Sequence, residues 1–362
     1  MANKIRPIAI HLPQFHPFPE NDEWWGKGFT EWTNVTKAKP LFEGHYQPHL
    51  PADLGFYDLR LEEARLAQEA LAKEYGIYGF CYYHYWFNGK RLMHEPIDRK
   101  LKNPKEDLPF MLCWANENWS RAWDGSEKEI LIAQNYSAED DAEHIRFLLS
   151  NVFNDKRYIR IDNKIFFAIY RPAHFPELKK TLQLWRNIAK EEYNEELFLV
   201  YMKNANFNDN ANINLFDSAI DFQPDFQHQP NPKVPSIKER VERKFFKKRS
   251  FFFDNKVISY KEYYDKAFKN QIFDSKTFPG ITPMWDNSAR RQIKALVMND
   301  STPELYGDWL QKVIAAYKKV KSENKYIFIN AWNEWAEGNH IEPCRKWGRR
   351  YLEVTKEKFD QQ

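Results

Sequence analysis

The sequence predicts a (β/α)8 barrel, in which eight parallel strands alternate with helices, with long insertions in the strand-to-helix loops. Apolar, β-branched and aromatic runs recur eight times along the chain, and several of them are separated by segments with the periodicity of amphipathic helices. The 362 residues exceed the roughly 250 of a plain barrel, which leaves room for insertions. A doubly wound sheet is the alternative, but no Gly-rich phosphate-binding motif follows the first run.

Each of the eight runs is apolar nearly throughout, as expected for a strand that is buried on both faces of a parallel sheet. The runs lie at residues 7–15, 75–87, 109–117, 164–172, 197–204, 218–224, 278–286 and 326–335. Between them, apolar residues recur every three or four positions in segments such as 59–75 and 303–320. Pro303 lies where a helix can begin.

We expect one catalytic domain over residues 1–362, with insertions at about residues 16–58 and 225–275. Each insertion follows a predicted strand, so both should lie on the C-terminal rim, where barrel enzymes build their active sites. The second contains KERVERKFFKKRSFFFDNK, residues 238–256. This stretch is either a solvated basic helix over the rim or a surface that contacts an anionic membrane or a lipid-linked glycan.

Composition narrows the class of ligand. Aromatic residues make up 17% of the chain, with 13 Trp, 19 Tyr and 28 Phe, and aromatic faces stack on sugar rings and bases. The formal net charge of +3 is small for a nucleic-acid-binding protein, so a sugar is favoured. Cys81, Cys113 and Cys344 lack CxxC spacing and are odd in number, which predicts reduced thiols. Without a signal-peptide pattern or a membrane-length apolar segment, we expect a cytoplasmic, soluble protein.

Polar and aromatic side chains follow six of the predicted strands, at the ends that would meet at one mouth of the barrel. They are His11, Gln14 and His16 after the first strand, Tyr82, Tyr83, His84, Tyr85 and Trp86 after the second, Trp114, Asn116, Glu117, Trp119, Arg121, Trp123 and Asp124 after the third, Tyr170 and Arg171 after the fourth, Trp285, Asp286 and Asn287 after the seventh, and Trp332, Asn333, Glu334, Trp335 and Glu337 after the eighth. Tryptophan faces beside carboxylates and amides are typical of a sugar site.

Each of these residues also has a plainer explanation. A single aromatic residue at a strand end is more often part of rim packing, although six equivalent clusters together favour a ligand site. His84 is explained equally well as a core histidine. No third ligand at a telling spacing accompanies His11 and His16, so we predict neither a metal nor another cofactor.

Glu334 and Glu337 lie three residues apart in WNEWAEGNHIEP, residues 332–343, directly after the last apolar run. Most enzymes that cleave glycosidic bonds use two carboxyl groups, one to protonate the leaving oxygen and one to act as nucleophile or base. The flanking Trp332 and Trp335 would make the surroundings less polar and so raise a carboxyl pKa. Alternatively, one glutamate caps a turn or pairs with Arg345. The absence of a basic residue between the glutamates disfavours that reading.

Three segments resemble the WbsX-type proteins of bacterial polysaccharide loci. They are WWGKGFTEWTNVTKAKPLFEGHYQPHLPADLGFYD, CWANENWSRAWDG and WNEWAEGNHIEP. Those proteins are described as glycosyltransferases with a domain similar to glycoside hydrolase family 99, the endo-α-mannosidases. The resemblance covers nearly the whole chain and implies a (β/α)8 barrel.

The resemblance also implies roles for the two glutamates. The hydrolase motif Asn-Glu-Trp-His-Glu-Gly corresponds to residues 333–338, which makes Glu334 and Glu337 the catalytic pair. Glu334 would withdraw the proton of the sugar 2-hydroxyl, whose oxygen then attacks the anomeric carbon to give a 1,2-anhydro sugar. Glu337 would protonate the departing oxygen and then activate water or an acceptor. The configuration is retained, and the 2-hydroxyl must lie trans to the leaving group, as in an α-mannoside. Ala336 replaces the motif's histidine, which implies a different sugar or linkage.

An oligosaccharide or polysaccharide is the expected substrate, and the strand ends and resembling segments together give a set of predicted substrate-binding residues. They are His11, Gln14, Trp25, Glu31, Trp32, Tyr83, His84, Trp86, Trp114, Asn116, Glu117, Trp119, Tyr170, Trp285, Asn333, Trp335 and Glu342.

Three functions remain open. The first is a retaining glycoside hydrolase or transglycosylase acting on surface-polysaccharide glycans such as O-antigen or capsule. The second is a glycosyltransferase of lipopolysaccharide biosynthesis that uses an activated donor. The third is a non-catalytic glycan-binding protein. The residues favour the first, because no DxD-type or basic, Gly-rich diphosphate site follows a strand, and because binding alone does not require both glutamates.

Overall fold

The computed structural model describes residues 4–120, 129–203, 210–246, 251–291 and 293–362. Arg121, Trp123 and Asp124, which we predicted at the third strand end, lie outside these ranges. The strands are β1 (Arg6–His11), β2 (Gly79–Phe87), β3 (Lys90–Leu92), β4 (Phe110–Trp114), β5 (Trp119–Ser120), β6 (Ile130–Ile132), β7 (Arg160–Ile161), β8 (Lys164–Ile169), β9 (Leu197–Met202), β10 (Ser218–Ile220), β11 (Lys256–Ser259), β12 (Thr277–Phe278), β13 (Gly280–Ile281), β14 (Leu296–Asn299), β15 (Tyr326–Ile329), β16 (Asn333–Glu334) and β17 (Asn339–His340).

Helices connect most of these strands. They are α1 (Pro19–Trp25), α2 (Glu31–Lys37), α3 (Glu62–Glu74), α4 (Glu95–Lys102), α5 (Ala138–Asn151), α6 (Leu178–Tyr193), α7 (Asn210–Ile213), α8 (Ile237–Phe246), α9 (Phe251–Asp254), α10 (Tyr260–Asn270), α11 (Pro303–Lys318) and α12 (Arg350–Asp360). Within the described ranges, short 3-10 turns lie at Pro172–His174, Asn287–Ala289 and Trp335–Glu337. Among the described helices, none combines the length and the hydrophobicity that crossing a bilayer requires.

Nine parallel strands form a nearly closed barrel in the order β12-β10-β9-β8-β4-β2-β1-β15-β13. Only Pro279 separates β12 from β13; β12 pairs with β10 while β13 pairs with β15, so these two short strands share one position in the ring. The ring therefore has eight positions, which confirms the predicted (β/α)8 fold class. Each of the eight predicted runs contains one barrel strand position.

The interior of the barrel is a filled aromatic core. Phe166 on β8 lies with its ring centroid 5.4 Å from that of Phe278 and 6.1 Å from that of Phe328 on β15. Because β8 and β15 occupy opposite positions in the ring, these contacts cross the interior, as in other barrels whose centre is packed with side chains. The mouth above this core is therefore the place where a ligand can enter.

Local sequence explains where α11 begins and how closely it packs. Thr302 caps the helix by accepting a hydrogen bond from the backbone N–H of Leu305 at 3.2 Å, and Pro303 is the first helical residue, as predicted. A Cβ atom on Gly307 would lie 2.5 Å from Cγ1 of Val354, so glycine permits the close contact between α11 and α12.

Two long segments surround the C-terminal ends of the strands. The first, residues 16–58, contains α1 and α2, and α2 packs against the turn at Trp335–Glu337. The second leaves the barrel after β10 and contains α8, α9 and β11 before α10 returns along the outside. Within it, β11 pairs in parallel with β14 to form a small separate sheet beside the mouth.

Candidate active site

The chain makes a tight turn directly after the last barrel strand. β16 and β17 form an antiparallel pair around the turn at Trp335–Glu337, with Glu334 at its start and Glu337 at its end. Gly338 ends the turn with a φ of +54°, and a Cβ atom there would lie 2.9 Å from the backbone oxygen of Asp286. Glycine is therefore required both by the left-handed backbone and by the close approach of Asp286. We call residues 333–338 the glutamate turn.

Hydrogen bonds from distant parts of the chain hold the glutamate turn. The side-chain amide of Asn333 donates to the backbone oxygen of Leu12 at 3.0 Å and accepts from the backbone N–H of Leu12 at 2.8 Å. The backbone N–H of Ala336 donates to Oε1 of Glu31 at 2.8 Å. The backbone N–H of Asp286 donates a hydrogen bond to the backbone oxygen of Glu337 at 2.7 Å. The first loop, the first strand and the seventh strand end thus all fix the turn.

Asp286 is itself anchored by the first long loop. Its Oδ2 atom lies 2.7 Å from Nε2 of His45 and accepts a hydrogen bond from the side chain of Gln47, also at 2.7 Å. Burial opposes ionisation of Asp286, but the hydrogen bond and charge of His45 outweigh it and lower the pKa of the aspartate. This network holds Asp286 where its backbone can support the glutamate turn.

Three carboxyl groups surround one guanidinium group at the bottom of the mouth. Arg290 forms an ion pair with Glu337, and the side chains of both are about 15% exposed. Arg290 also interacts electrostatically with Glu31 and Glu334, which are both buried. Burial, together with the negative charge of Glu31, raises the pKa of Glu334 to about 8, although Arg290 opposes the shift. Burial likewise raises the pKa of Glu31, against the effects of Arg290 and the N–H of Ala336.

The charge balance of this group determines its protonation. A single guanidinium cannot compensate three neighbouring carboxylates, so the Glu31–Glu334 pair retains a proton near neutral pH. Glu337 is the carboxyl that pairs directly with Arg290. The turn therefore carries a buried carboxyl with a raised pKa and, three residues later, a carboxyl that is paired with a guanidinium.

A cavity of about 1250 Å³ opens above this group, and both Glu334 and Glu337 line it. The aromatic residues of its wall are Tyr83, Tyr85, Trp119, Tyr170, Phe222, Phe226, Phe253 and Trp285. A second ion pair, between Arg171 and Glu117 at 2.8 Å, lies on the wall as well. Aromatic faces combined with a few fixed polar groups match the chemistry of a sugar, whose rings are apolar on one face and whose hydroxyls need hydrogen bonds.

Five of the predicted substrate-binding residues line this cavity together with the two glutamates. They are Tyr83, Glu117, Trp119, Tyr170 and Trp285. Twelve others do not line it and are buried or, for Trp25, half-buried. These are His11, Gln14, Trp25, Glu31, Trp32, His84, Trp86, Trp114, Asn116, Asn333, Trp335 and Glu342.

Several of the residues behind the wall hold each other in place. Glu342 accepts hydrogen bonds from the indole N–H of Trp335 at 2.7 Å, from Gln68 at 2.7 Å and from the Tyr57 hydroxyl at 2.9 Å. Burial raises the pKa of Glu342 to about 7, although these donors oppose the shift. The Trp335 ring stacks on His340 with centroids 3.7 Å apart. Glu342 thus fixes the tryptophan in the middle of the glutamate turn.

The histidine that we singled out at the second strand end also has a packing partner. Nε2 of His84 lies 2.9 Å from Nε2 of His144, and the ring of His144 stacks on Trp86 with centroids 4.7 Å apart. Burial lowers the pKa of His84 to about 3. His84 and His144 are therefore both neutral, and they pack behind the cavity wall.

Ala336, which replaces the histidine of the hydrolase motif, is fully buried and does not line the cavity. Its backbone N–H donates a hydrogen bond to the side chain of Glu31. Any influence of position 336 on substrate choice would therefore act through Glu31 and the shape of the turn.

Sequence reasoning missed the guanidinium group at the centre of the site. Arg290 follows the seventh barrel strand position in the segment WDNSARR, residues 285–291. The sequence did contain a signal for Arg290. It is a basic residue shortly after one strand end, and an acidic pair follows the next strand end. Phe222 and Phe226 were also missed as wall residues, although the segment that follows β10, DFQPDFQH at residues 221–228, has the same mixture of polar and aromatic residues as the other strand ends. Over the described ranges, no three His, Cys, Asp or Glu side chains are arranged to hold a metal ion.

Comparison with known proteins gives a consistent family. The profile of the family described as "Glycosyltransferase WbsX" matches residues 7–355. The chain is 40% identical over 351 residues to "Uncharacterized protein WxcX" from two strains of Xanthomonas campestris pv. campestris, with 97% of this chain and 49% of each relative covered. The chain therefore spans about half the length of the curated relatives that it matches.

Solved structures share the fold at low sequence identity. A protein described as "Glycoside hydrolase-like protein" superposes with a TM-score of 0.61 at 15% identity, covering 99% of this chain and 95% of that chain. The family 99 endo-alpha-mannosidase from Bacteroides thetaiotaomicron superposes with a TM-score of 0.56 at 12% identity, covering 98% and 97% of the two chains.

Proposed function

Because the chain belongs to the WbsX glycosyltransferase family, we propose that it makes or breaks a glycosidic bond and that Glu334 and Glu337 are the reacting carboxyl groups. The observation that carries the proposal is the pairing of these two glutamates on one turn at the bottom of a large aromatic cavity. Burial raises the pKa of Glu334, and Glu337 pairs with Arg290, so the two carboxyls have different surroundings. Two carboxyls in opposite protonation states are what acid–base chemistry at a glycosidic bond needs.

We assign the roles as the resemblance implies. Glu334 takes the proton of the sugar 2-hydroxyl, the 2-oxygen closes on the anomeric carbon, and Glu337 protonates the departing oxygen. The 1,2-anhydro sugar is then opened by water or an acceptor hydroxyl, whose proton goes to Glu337, while Glu334 returns its proton to the 2-oxygen. A raised pKa suits this base, because it narrows the gap between the proton affinities of the carboxylate and of a sugar hydroxyl.

The protonation state of the structure is one proton transfer away from that arrangement. Glu334 holds the proton, whereas the mechanism starts with the proton on Glu337. Both side chains line the same cavity, so a bound sugar hydroxyl or water can carry the proton from one to the other.

The roles can be tested with a substrate whose leaving group needs no proton, such as a glycosyl fluoride. Glu337→Gln removes the acid, and it should abolish turnover of the natural glycan while the fluoride still forms the intermediate. Glu334→Gln removes the base, and it should abolish both reactions, each by about 10²-fold or more. Binding of the glycan, measured by calorimetry, should survive in both variants. Wild-type turnover in either variant would remove the corresponding glutamate from the mechanism.

We propose a hydrolase or transglycosylase acting on a bacterial surface polysaccharide, and the family name supports a glycosyltransferase as the second candidate. Product analysis by mass spectrometry separates them. The protein is incubated with the polysaccharide repeat of its own source organism, with and without nucleotide sugars. Cleavage without a donor supports the hydrolase, and extension only with a donor supports the transferase. Binding without either product would support a glycan-binding protein.

A further inference from the structure

One helix near the mouth turns its apolar face to solvent. In α8, Ile237, Val241 and Phe245 follow each other at four-residue intervals, so they form one stripe along the helix. Their exposed fractions are 81%, 45% and 69%, and Val234, just before the helix, is 72% exposed. We call these four residues the outer stripe. An amphipathic helix of a globular protein usually buries such a stripe, as α10 and α11 do here.

The same segment concentrates positive charge. Residues 237–250 contain seven Lys or Arg and two Glu, a net charge of +5, whereas the whole chain has a formal net charge of +3. The remainder of the chain is thus slightly negative, so the sequence concentrates its excess positive charge in this segment. On α8 itself, Lys238, Arg240 and Lys244 are exposed beside the outer stripe.

Both ends of this segment are attached to the cavity wall. Gln229 before it and Phe253 after it line the cavity. Phe226, which is 51% exposed, contacts the Trp285 ring edge-on with centroids 5.3 Å apart. The outer stripe therefore lies on a long loop of the barrel rim, beside the mouth of the cavity.

We propose that the outer stripe and the cations beside it bind the surface of an anionic lipid bilayer and bring the mouth to a glycan carried on a membrane lipid. A short helix with an apolar stripe and flanking Lys and Arg is the pattern of helices that lie in a membrane interface. The second half of the proposal, the lipid-carried glycan, rests on the proposed function; the bilayer contact does not.

Other occupants fit the stripe less well. A stable protein interface uses about 20–30 residues from each partner, which is far more than the four residues of the outer stripe. A second copy of the chain would bring another patch of net charge +5 against the first, and the two would repel. Anionic lipid headgroups supply the complementary charge and the acyl region accepts the apolar side chains.

Vesicle flotation tests the bilayer contact directly. We expect the protein to float with vesicles of phosphatidylcholine and phosphatidylglycerol, to float less with phosphatidylcholine alone, and to be released by high salt. Phe245→Asp and Ile237→Asp should each lower the bound fraction at least tenfold, and so should the combined variant Lys238→Glu, Arg240→Glu, Lys244→Glu. Ile272→Asp is the matched control, because Ile272 is 45% exposed just after α10 and does not belong to the outer stripe.

Each outcome decides the proposal. Undiminished flotation of the Phe245→Asp and charge-reversal proteins, or equal flotation with neutral vesicles, overturns it. A change of oligomeric state in the stripe variants without any vesicle binding by the wild type also overturns it, in favour of a protein partner. Circular dichroism confirms that each variant is folded.

A second assay separates this proposal from the proposed function. Against a water-soluble glycan, the stripe variants should keep the wild-type kcat/KM within about twofold, while turnover of the same glycan on a lipid in anionic vesicles should fall with the bound fraction. Failure of the protein to process any glycan would contradict the proposed function and leave the flotation result intact.

Discussion

Glu31 sets the electrostatics of the site although it does not line the cavity. It lies in the first turn of α2 and accepts a hydrogen bond from the N–H of Ala336 through one oxygen. Its other oxygen is buried and has no hydrogen-bond partner among the residues that the structure describes. Its charge contributes to the raised pKa of Glu334. The carboxyl group that acts on Glu334 thus comes from the first insertion and not from the glutamate turn.

We therefore predict that Glu31→Gln moves the alkaline limb of the pH–activity profile. With a pKa of about 8 for Glu334, kcat/KM should fall as the pH rises through about 8, whichever glutamate carries the proton at the start, because the active state holds one proton between the two. Glutamine keeps an oxygen for the N–H of Ala336 but removes the charge, so the pKa of Glu334 should drop and the limb should move to lower pH.

The control for this experiment is Glu117→Gln, which removes a carboxylate on the same wall that pairs with Arg171. It should change KM and leave the alkaline limb in place. Carbon-13 NMR of carboxyl-labelled glutamate follows the titration of Glu334 without any substrate. A titration of Glu334 that is the same in the Glu31→Gln protein and the wild type would contradict the coupling.

At the scale of elements, the glutamate turn depends on the close approach of the seventh strand end. Gly338→Ala would place a Cβ atom 2.9 Å from two atoms of Asp286 and impose a left-handed φ on alanine. We predict a loss of activity of at least tenfold, because displacing reacting groups by an ångström is costly in catalysis. The free energy of unfolding should fall by about 1–3 kcal/mol.

Gly348 provides a matched control for that prediction. Its φ is +52°, and a Cβ atom there would contact nothing within 4 Å. Gly348→Ala therefore carries the backbone strain without the collision, so it should lower stability and leave kcat/KM unchanged. Equal effects of the two substitutions on activity would show that the contact with Asp286 is unimportant.

The elements that the sequence predicts well are those governed by local patterns. Eight apolar runs located the barrel strands, and Pro303 located the start of α11. The division of one strand position into β12 and β13 was not predicted, since it depends on pairing with different neighbours on each side of Pro279. The wall was predicted only in part, because a strand-end aromatic such as Trp114 or Trp86 can face either the mouth or the helices, and residue type does not tell which. The extent of the domain and the cytoplasmic location stay predictions.

At the scale of the whole molecule, the site lowers the stability of the fold. Glu334 has a higher pKa in the folded chain than in the unfolded chain, so the folded chain binds its proton more tightly. Between about pH 5 and pH 8, the Glu334 carboxyl is ionised in the unfolded chain but still protonated in the folded chain. Folding then requires the uptake of a proton, so the free energy of unfolding falls as the pH rises.

We predict that Glu334→Gln, which mimics the protonated carboxyl, raises the free energy of unfolding at pH 8 by at least about 1 kcal/mol, since each unit of pKa shift corresponds to about 1.4 kcal/mol. The gain should shrink toward pH 5, and urea unfolding at both pH values measures it. Glu117→Gln should give no such gain. A Glu334→Gln protein that is less stable than the wild type at pH 8 would contradict the burial of a costly charge.

The hydrogen bonds that hold the glutamate turn join residues from the two ends of the chain. Asn333 and Leu12 are 321 positions apart, Ala336 and Glu31 are 305 apart, and Asp286 and His45 are 241 apart. Contacts of such long range form late, because loop-closure entropy opposes them until the intervening chain is ordered. During synthesis, the first insertion leaves the ribosome long before its partners do. Under the proposed function, a nascent chain therefore cannot act on a glycan until nearly the whole barrel has emerged, because the glutamate turn lacks its partners until the ring is complete.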